Sequence, residues 1–195
     1  MIDLNQIQQL REETAAPVGE CRKALEQSKG DIAKAKEFLR KWGKTLAEKK
    51  VERETKQGII DAYLHPNKQL GVILELRCES DFVAKSPDFL NLAHELCLQI
   101  AAANPLFVGE ENLPEDFIDK EKQLYKEQFA LLNKPEKILA GMIEGKWQKR
   151  KQEICLLEQP WIKDESKKIK DLISETVAKL GENIVIRNFS RLSTR

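Results

Sequence analysis

The chain has 195 residues, with 33 Lys and Arg against 32 Asp and Glu, for a net charge of +1. That length suits one domain, or a small one attached to a larger one, and it is long enough to bury a substantial core. Near-neutrality argues against a protein whose main task is to coat nucleic acid, and a 33% charged, 41% hydrophobic composition suits long exposed helices better than a compact β-sandwich.

In chain order, Met1-Ile2-Asp3-Leu4-Asn5-Gln6 has no basic region followed by an apolar run, so no targeting segment is expected there. Residues 1–43 predict three short helices. Asp3 is placed to cap the first, with Leu4, Ile7 and Leu10 apolar. The second presents Val18, Cys21 and Leu25, entered by Pro17 and closed by Gly30. Asp31 caps the third, with Ile32, Ala35, Leu39 and Trp42 on one side and a stop at Gly43. So small a bundle suits recognition better than catalysis. Residues 44–57 are mostly charged and read as a linker or a solvated helix.

Two β-like runs follow, Gly58–Leu64 and Gly71–Arg77, joined by the turn cluster His65-Pro66-Asn67-Lys68-Gln69. The chain then passes through Ser80-Asp81-Phe82-Val83, and Ser86-Pro87 starts a helix with the stripe Phe89, Leu92, Ala93, Leu96 and Ile100. Pro114 and Pro135 each open a charged helical stretch, separated by a turn around Asn133-Lys134. Their stripes are Phe117, Leu124 and Leu131, then Ile138, Met142 and Ile143. This predicts a projecting helical hairpin over about 114–154, packed mostly on itself. A helix from Ser166 to Leu180 stops at Gly181 and is followed by a strand, Ile184–Phe189. The expected fold is α+β: an amino-terminal bundle, residues 1–43; a charged linker, 44–57; and a core, 58–195, with a three-stranded antiparallel sheet covered by helices.

Enzymatic chemistry finds no foothold. The two histidines, His65 and His94, lack partners at metal-ligand spacing and read as solvated. No phosphate-binding glycine loop and no nucleophile elbow occurs, so neither a catalytic residue nor a cofactor nor a metal is expected. The cysteines Cys21, Cys78, Cys97 and Cys155 form no C-x-x-C pair and read as free thiols in a reducing compartment. No run approaches 18 apolar residues, so no membrane span is expected.

Two segments stand out. Ser80–Val83 lies where a strand ends and a helix has not begun, a surface position. Phe82 either packs under the following helix or protrudes as an aromatic anchor for a partner, with Asp81 beside it. Lys146-Trp147-Gln148-Lys149-Arg150-Lys151 either forms a solvated helix face, balanced by Glu144 and Glu153, or binds nucleic acid by charge and stacking.

Three blocks carry a family resemblance. Leu10-Arg-Glu-Glu-Thr-Ala-Ala-Pro-Val-Gly-Glu-Cys-Arg-Lys-Ala-Leu25, with Gly30-Asp31-Ile32, resembles the amino-terminal module of translation elongation factor Ts. Leu76-Arg-Cys-Glu-Ser-Asp-Phe-Val-Ala-Lys85 is similar to that family's T-D-F-V-A motif. Leu156-Leu-Glu-Gln-Pro-Trp-Ile162 through Gly181-Glu-Asn-Ile-Val-Ile-Arg187 is similar to its carboxy-terminal signature. The resemblance implies a guanine nucleotide exchange factor for elongation factor Tu, bound in its GDP and nucleotide-free states, in the bacterial cytoplasm, or in a plastid stroma for an organelle-encoded chain. It implies a ubiquitin-associated-like bundle that docks on the GTPase, with Arg11, Val18, Gly19 and Arg22 as partner-binding residues. Ser80, Asp81, Phe82 and Val83 would dislodge the partner's magnesium ion. Departures are Ser80 for the usual Thr, Val18-Gly19 for two methionines, Gln99 where His is frequent and Trp161 where Phe is common. A homodimer through the core sheets is expected, since longer members resemble two such core halves fused; Ile184–Phe189 and Ser166–Leu180 would contribute, with Cys155 nearby. A general protein-binding adaptor, or an RNA-binding protein using residues 146–151, are the alternatives from other classes.

Overall fold

The structure, a computed structural model, describes residues 3–14, 16–130 and 135–194. Met1, Ile2, Ala15, Leu131 and the turn expected at Asn133-Lys134 lie outside the described residues. The elements run α1 (Leu4–Thr14), α2 (Val18–Gln27), α3 (Ile32–Lys50), β1 (Gln57–Leu64), β2 (Leu70–Cys78), α4 (Asp81–Ala84), α5 (Pro87–Ala103), α6 (Glu115–Ala130), α7 (Glu136–Ile154), β3 (Pro160–Trp161), β4 (Asp164–Lys168), α8 (Ile169–Leu180) and β5 (Ile184–Ser193). This is the expected α+β architecture, with a small antiparallel sheet ordered β1-β2-β5 and a two-stranded β3-β4 pair.

The chain divides into two compact units. One comprises residues 1–61, 75–94 and 171–186, the other 62–74, 95–170 and 187–195.

In the first unit, α1, α2 and α3 pack pairwise around Leu10, Cys21, Ala24, Leu25, Ala35 and Leu39. The local signals act as their chemistry dictates: an Asp3 carboxylate oxygen accepts from the Asn5 N–H at 3.1 Å, and an Asp31 oxygen accepts from the Lys34 N–H at 3.1 Å. The third helix does not stop at Gly43, as the sequence predicts. It runs through Gly43 to Lys50, with Gly43 facing α8, where a Cβ would lie in ordinary contact, 3.4 Å from the Ala178 Cβ. The helix is further tied to α8, since Arg40 and Lys44 grip the buried Asp171 at 3.0 and 2.7 Å and the Lys50 ammonium donates to the Gly181 carbonyl. Residues 44–50 are therefore helix rather than linker. Inward-facing Leu76, Cys78, Phe89, Leu92, Ala93, Val177, Ile184 and Ile186 are buried, as the period-2 and period-3.6 patterns require.

In the second unit, α6 and α7 pair as the expected hairpin. The stripes are offset from prediction: Leu124 and Ile138 are exposed, whereas Tyr125, Trp147, Ile154 and Cys155 are buried with Leu113, flanked by Phe107, Phe117, Ile118, Phe129 and Ile143. The aromatic rings set the buried side because each covers more apolar area than a leucine. The segment predicted as the start of the last helix is instead β4, paired antiparallel with β3 through Pro160↔Lys168 and Trp161↔Asp164. Gln99 is buried and uses its whole amide on that neighbourhood. Its Nε2 donates to Gln159 Oε1 and the Pro160 carbonyl at 3.1 and 3.2 Å, and its Oε1 accepts from the Ile162 N–H at 2.9 Å. Among the described residues no helix is long and apolar enough to cross a membrane.

Gly58 on β1 gives the fold a sharp test. A Cβ there would press on the Leu76 carbonyl oxygen and lie 2.8 Å from the Arg77 Cα, both backbone atoms that cannot rotate away. Gly58→Ala is expected to cost at least about 2 kcal/mol of stability. Urea unfolding followed by circular dichroism measures it, and an unchanged midpoint would contradict the close approach.

Candidate functional site

The Ser80–Val83 segment is built from the end of β2 outward. Rather than an open loop, Asp81–Ala84 forms a single helical turn, α4, with Ser80 as its N-cap in extended conformation. Ser80 Oγ accepts from the Val83 N–H at 3.3 Å, and the Ser80 carbonyl accepts from the Ala84 N–H at 3.2 Å and from the Cys78 thiol at 3.1 Å. Ala84 is buried and anchors the turn from below. On the far side, Ser86 Oγ donates to the Val83 carbonyl at 2.8 Å and accepts from the Phe89 N–H at 3.4 Å, linking the turn to the cap of α5.

Phe82 does not pack under α5. It is 86% exposed, so the reading in which it packs under the following helix does not hold. Asp81, also exposed, pairs with Lys85 at 2.9 Å, and that hydrogen bond and charge hold its carboxyl below the usual carboxylate range. Val83 is half-buried.

One contact was not legible from the sequence. The Glu182 carboxylate accepts from the Ser80 N–H at 2.9 Å with one oxygen and from the Ser80 hydroxyl at 2.6 Å with the other. Beside it, the Asn183 N–H donates to Glu79 Oε1 at 2.6 Å, and Asn183 Nδ2 donates to the carbonyls of Val51 and Arg53 at 3.2 and 2.9 Å. Glu182 and Asn183 belong to the third signature block, yet a separation of 102 residues from Ser80 gives no local pattern to find. The only sequence signal is their position directly after the helix-ending Gly181, whose φ of +77° suits a glycine.

The other candidate residues lie on the bundle. Arg11 is exposed in the last turn of α1; Val18 and Gly19 open α2, exposed; Arg22 follows one turn on, exposed and paired with Glu26 at 2.9 Å. Val18 and Gly19 share the α2 face that carries Arg22, by their i,i+4 and i,i+3 spacing. The basic run behaves differently. Trp147 is 5% exposed, with the Lys122 ammonium 5.9 Å from its ring centroid, so it presents no free face for base stacking. Arg150 pairs with Glu153 at 3.1 Å, and the buried Lys151 pairs with Glu110 at 2.8 Å. His94 is exposed and His65 half-buried, its ring edge-on to Tyr63. Among the described residues, no cluster of His, Cys, Asp or Glu could hold a metal.

All four cysteines are buried and none forms a disulfide. Burial pushes the Cys78 and Cys155 thiols up from the ordinary 9.0 to about 11, with the Glu182 carboxylate adding to the effect at Cys78 and Glu110 at Cys155. A group whose pKa is raised in the folded state stabilises it fully below the unfolded value and loses that contribution as pH rises through the folded one. Stability is therefore expected to fall between about pH 9 and 11. At pH 8 a disulfide-exchange reagent should find no reactive thiol in the native protein and four after unfolding in guanidinium. Rapid native labelling would contradict the burial.

Comparison with known proteins adds a further finding. A family described as Elongation factor TS matches residues 5–176. The elongation factor Ts of Thermodesulfovibrio yellowstonii is 50% identical over 190 residues, covering 97% of this chain and 94% of the relative. That of Thermotoga neapolitana is 50% identical over 97% of this chain and 95% of its own length, and that of Coprothermobacter proteolyticus 48% over 97% and 96%.

Proposed function

The chain belongs to the elongation factor Ts family, and from that premise we propose that it serves translation elongation as a guanine nucleotide exchange factor for elongation factor Tu in the bacterial cytoplasm. The observation that carries this reading is Phe82: a large aromatic side chain, 86% exposed, on a turn whose backbone is fixed at both ends. Such a residue is poorly explained by the protein's own stability and well explained by a partner's pocket.

The mechanism needs no acid, base or cofactor from this chain. Magnesium demands near-ideal octahedral geometry and is held largely by phosphates and waters, so a small displacement of the surrounding protein loosens it. Phe82, carried by the turn that Ser80 caps, enters beside the partner's nucleotide site. Asp81 and Val83 flank it, and the partner's conformation that accepts them holds magnesium and GDP poorly. Arg11, Val18, Gly19 and Arg22 on the bundle supply docking contacts away from that point. Binding is reciprocal: if the factor weakens GDP by some ratio, GDP weakens the factor by the same ratio, and the free-energy coupling replaces a catalytic group.

Labelled-GDP release from elongation factor Tu tests this. Phe82→Ala removes a side chain that makes little contact within its own chain, so the variant should melt like the wild type. It should lose about 2 kcal/mol of coupling, a rate lower by roughly 30-fold. Release at the wild-type rate would refute the anchoring role of Phe82.

Self-association forms the second part of the proposal. Ile73 on β2 and Val185 on β5 are exposed at positions that alternate with buried ones, Ile60 on β1 is exposed between half-buried neighbours, and β1 and β5 are sheet edges. Apolar strand surface of this kind is normally covered, and a two-fold pairing of identical chains covers it with a self-complementary contact. Sedimentation equilibrium at micromolar concentration should give twice the chain mass of 22.4 kDa; a single 22.4 kDa species would rule the dimer out.

A further inference from the structure

A four-residue helix cannot hold its own shape. Forming one turn fixes several backbone dihedrals for a single hydrogen bond, and isolated helices of this length do not persist in water. Phe82 adds nothing to hold the turn, since its side chain is almost wholly solvated, and the exposed Asp81 pairs with the exposed Lys85. The direction in which Phe82 points is therefore set from elsewhere.

The polar groups of Ser80 show from where. Its carbonyl is used by Cys78 and Ala84, and its hydroxyl oxygen accepts from the Val83 N–H. The remaining donors, the backbone N–H and the hydroxyl hydrogen, both go to Glu182, one to each carboxylate oxygen. Hydrogen bonds to an ionised acceptor are roughly twice as strong as neutral ones, and two of them on one residue fix its rotation as well as its position. Glu182 itself has little freedom. It stands between Gly181, whose carbonyl accepts from the Lys50 ammonium, and Asn183, which is bonded to Glu79, Val51 and Arg53.

We infer that Glu182 is a positioning residue for exchange: its carboxylate holds the Ser80 cap in one rotamer, and through the Ser80–Val83 bond sets the direction of Phe82. The inference rests on the exchange reading above and adds to it a residue that touches no partner. Glu182 acts only through Phe82, so its removal leaves docking intact and disperses the orientation of the aromatic ring.

The test is a double-mutant cycle in full-length protein, read as GDP release from elongation factor Tu over a range of factor concentrations. Glu182→Ala should lower the release rate at saturation roughly tenfold, with the half-saturating concentration changed by less than about twofold. In a Phe82→Ala background the same substitution should have almost no further effect, because the ring it orients is gone. Glu182→Gln keeps one oxygen to accept from the Ser80 N–H, so it should fall between Ala and the wild type. Circular dichroism melting verifies that each variant folds; if Glu182→Ala does not, Glu182→Gln takes its place in the cycle. Equal slowing in both backgrounds, or a Glu182 variant at the wild-type rate while Phe82→Ala is slow, would overturn the positioning role alone. Phe82→Ala at the wild-type rate would overturn the anchoring role of Phe82 and this inference with it, whereas a wild-type chain that does not speed GDP release at all would overturn the exchange reading.

Discussion

A phenylalanine held in water is the constraint around which this molecule is organised. Burying that ring would contribute about 1.5–3 kcal/mol, so the chain must deny Phe82 a route inward. It does so by engaging every backbone and side-chain polar group of Ser80 and by burying Ala84 two residues on, which leaves position 82 on the outward side of a one-turn helix. Two connections remote in sequence meet beside that turn: the α8–β5 connection, whose Glu182 accepts from Ser80 and whose Asn183 N–H donates to Glu79, and the α3–β1 connection, whose Val51 and Arg53 carbonyls accept from Asn183. A turn held from outside in this way has less entropy left to lose on binding, which is the physical content of preorganisation.

The same compact unit holds the bundle, and the clasp between α3 and α8 has a mechanical consequence. Asp171 is buried and receives both Arg40 and Lys44, an arrangement that contributes less to net stability than to defining one geometry, because desolvating the charges costs much of what their attraction returns. With Gly43 against Ala178 and Lys50 on Gly181, the third helix is fixed at three successive levels along α8 and its end. On the exchange role proposed above, such a clasp would carry a displacement of the bundle into the rest of this unit instead of losing it in a hinge.

Legibility followed the range of the interaction. Caps, proline starts and periodic stripes are local, and Asp31, Ser86-Pro87 and the Phe89–Ile100 stripe stand where the sequence puts them. Gly43 misleads because the helix runs on through it, held against a segment more than 130 residues further on that a local reading, which takes glycine for a stop, does not see. Asp164–Lys168 misleads because its five residues carry no apolar side chain, and only pairing with Pro160-Trp161 makes them a strand. The hairpin misleads in part: Phe117 and Ile143 pack on its core as read, but Tyr125 takes the buried place expected of Leu124, and ring area decides between those neighbours. At the site, the Ser80–Val83 motif was legible as a segment, but the choice between a buried and a protruding Phe82 was not, since both need the same residues and the Glu182 contact with Ser80 spans 102 residues of sequence.

The departures from the family resemblance divide on the same principle, between changes felt inside the chain and changes felt outside it. Ser80 in place of threonine keeps the hydroxyl, and every bond at that position uses only the hydroxyl or the backbone, so the missing methyl costs the cap nothing. Gln99 in place of histidine is an internal change fully absorbed: one amide serves three bonds to residues 159–162, which a single neutral imidazole, with one donor and one acceptor, could not match in number. Gly19 is the opposite case. Nothing lies within 4 Å of where its Cβ would be, so no packing inside this chain calls for a small residue there, and none would be disturbed by a methionine. Whatever an exposed methionine would contribute at that position would be contributed to a surface outside the chain, not to the packing of this one.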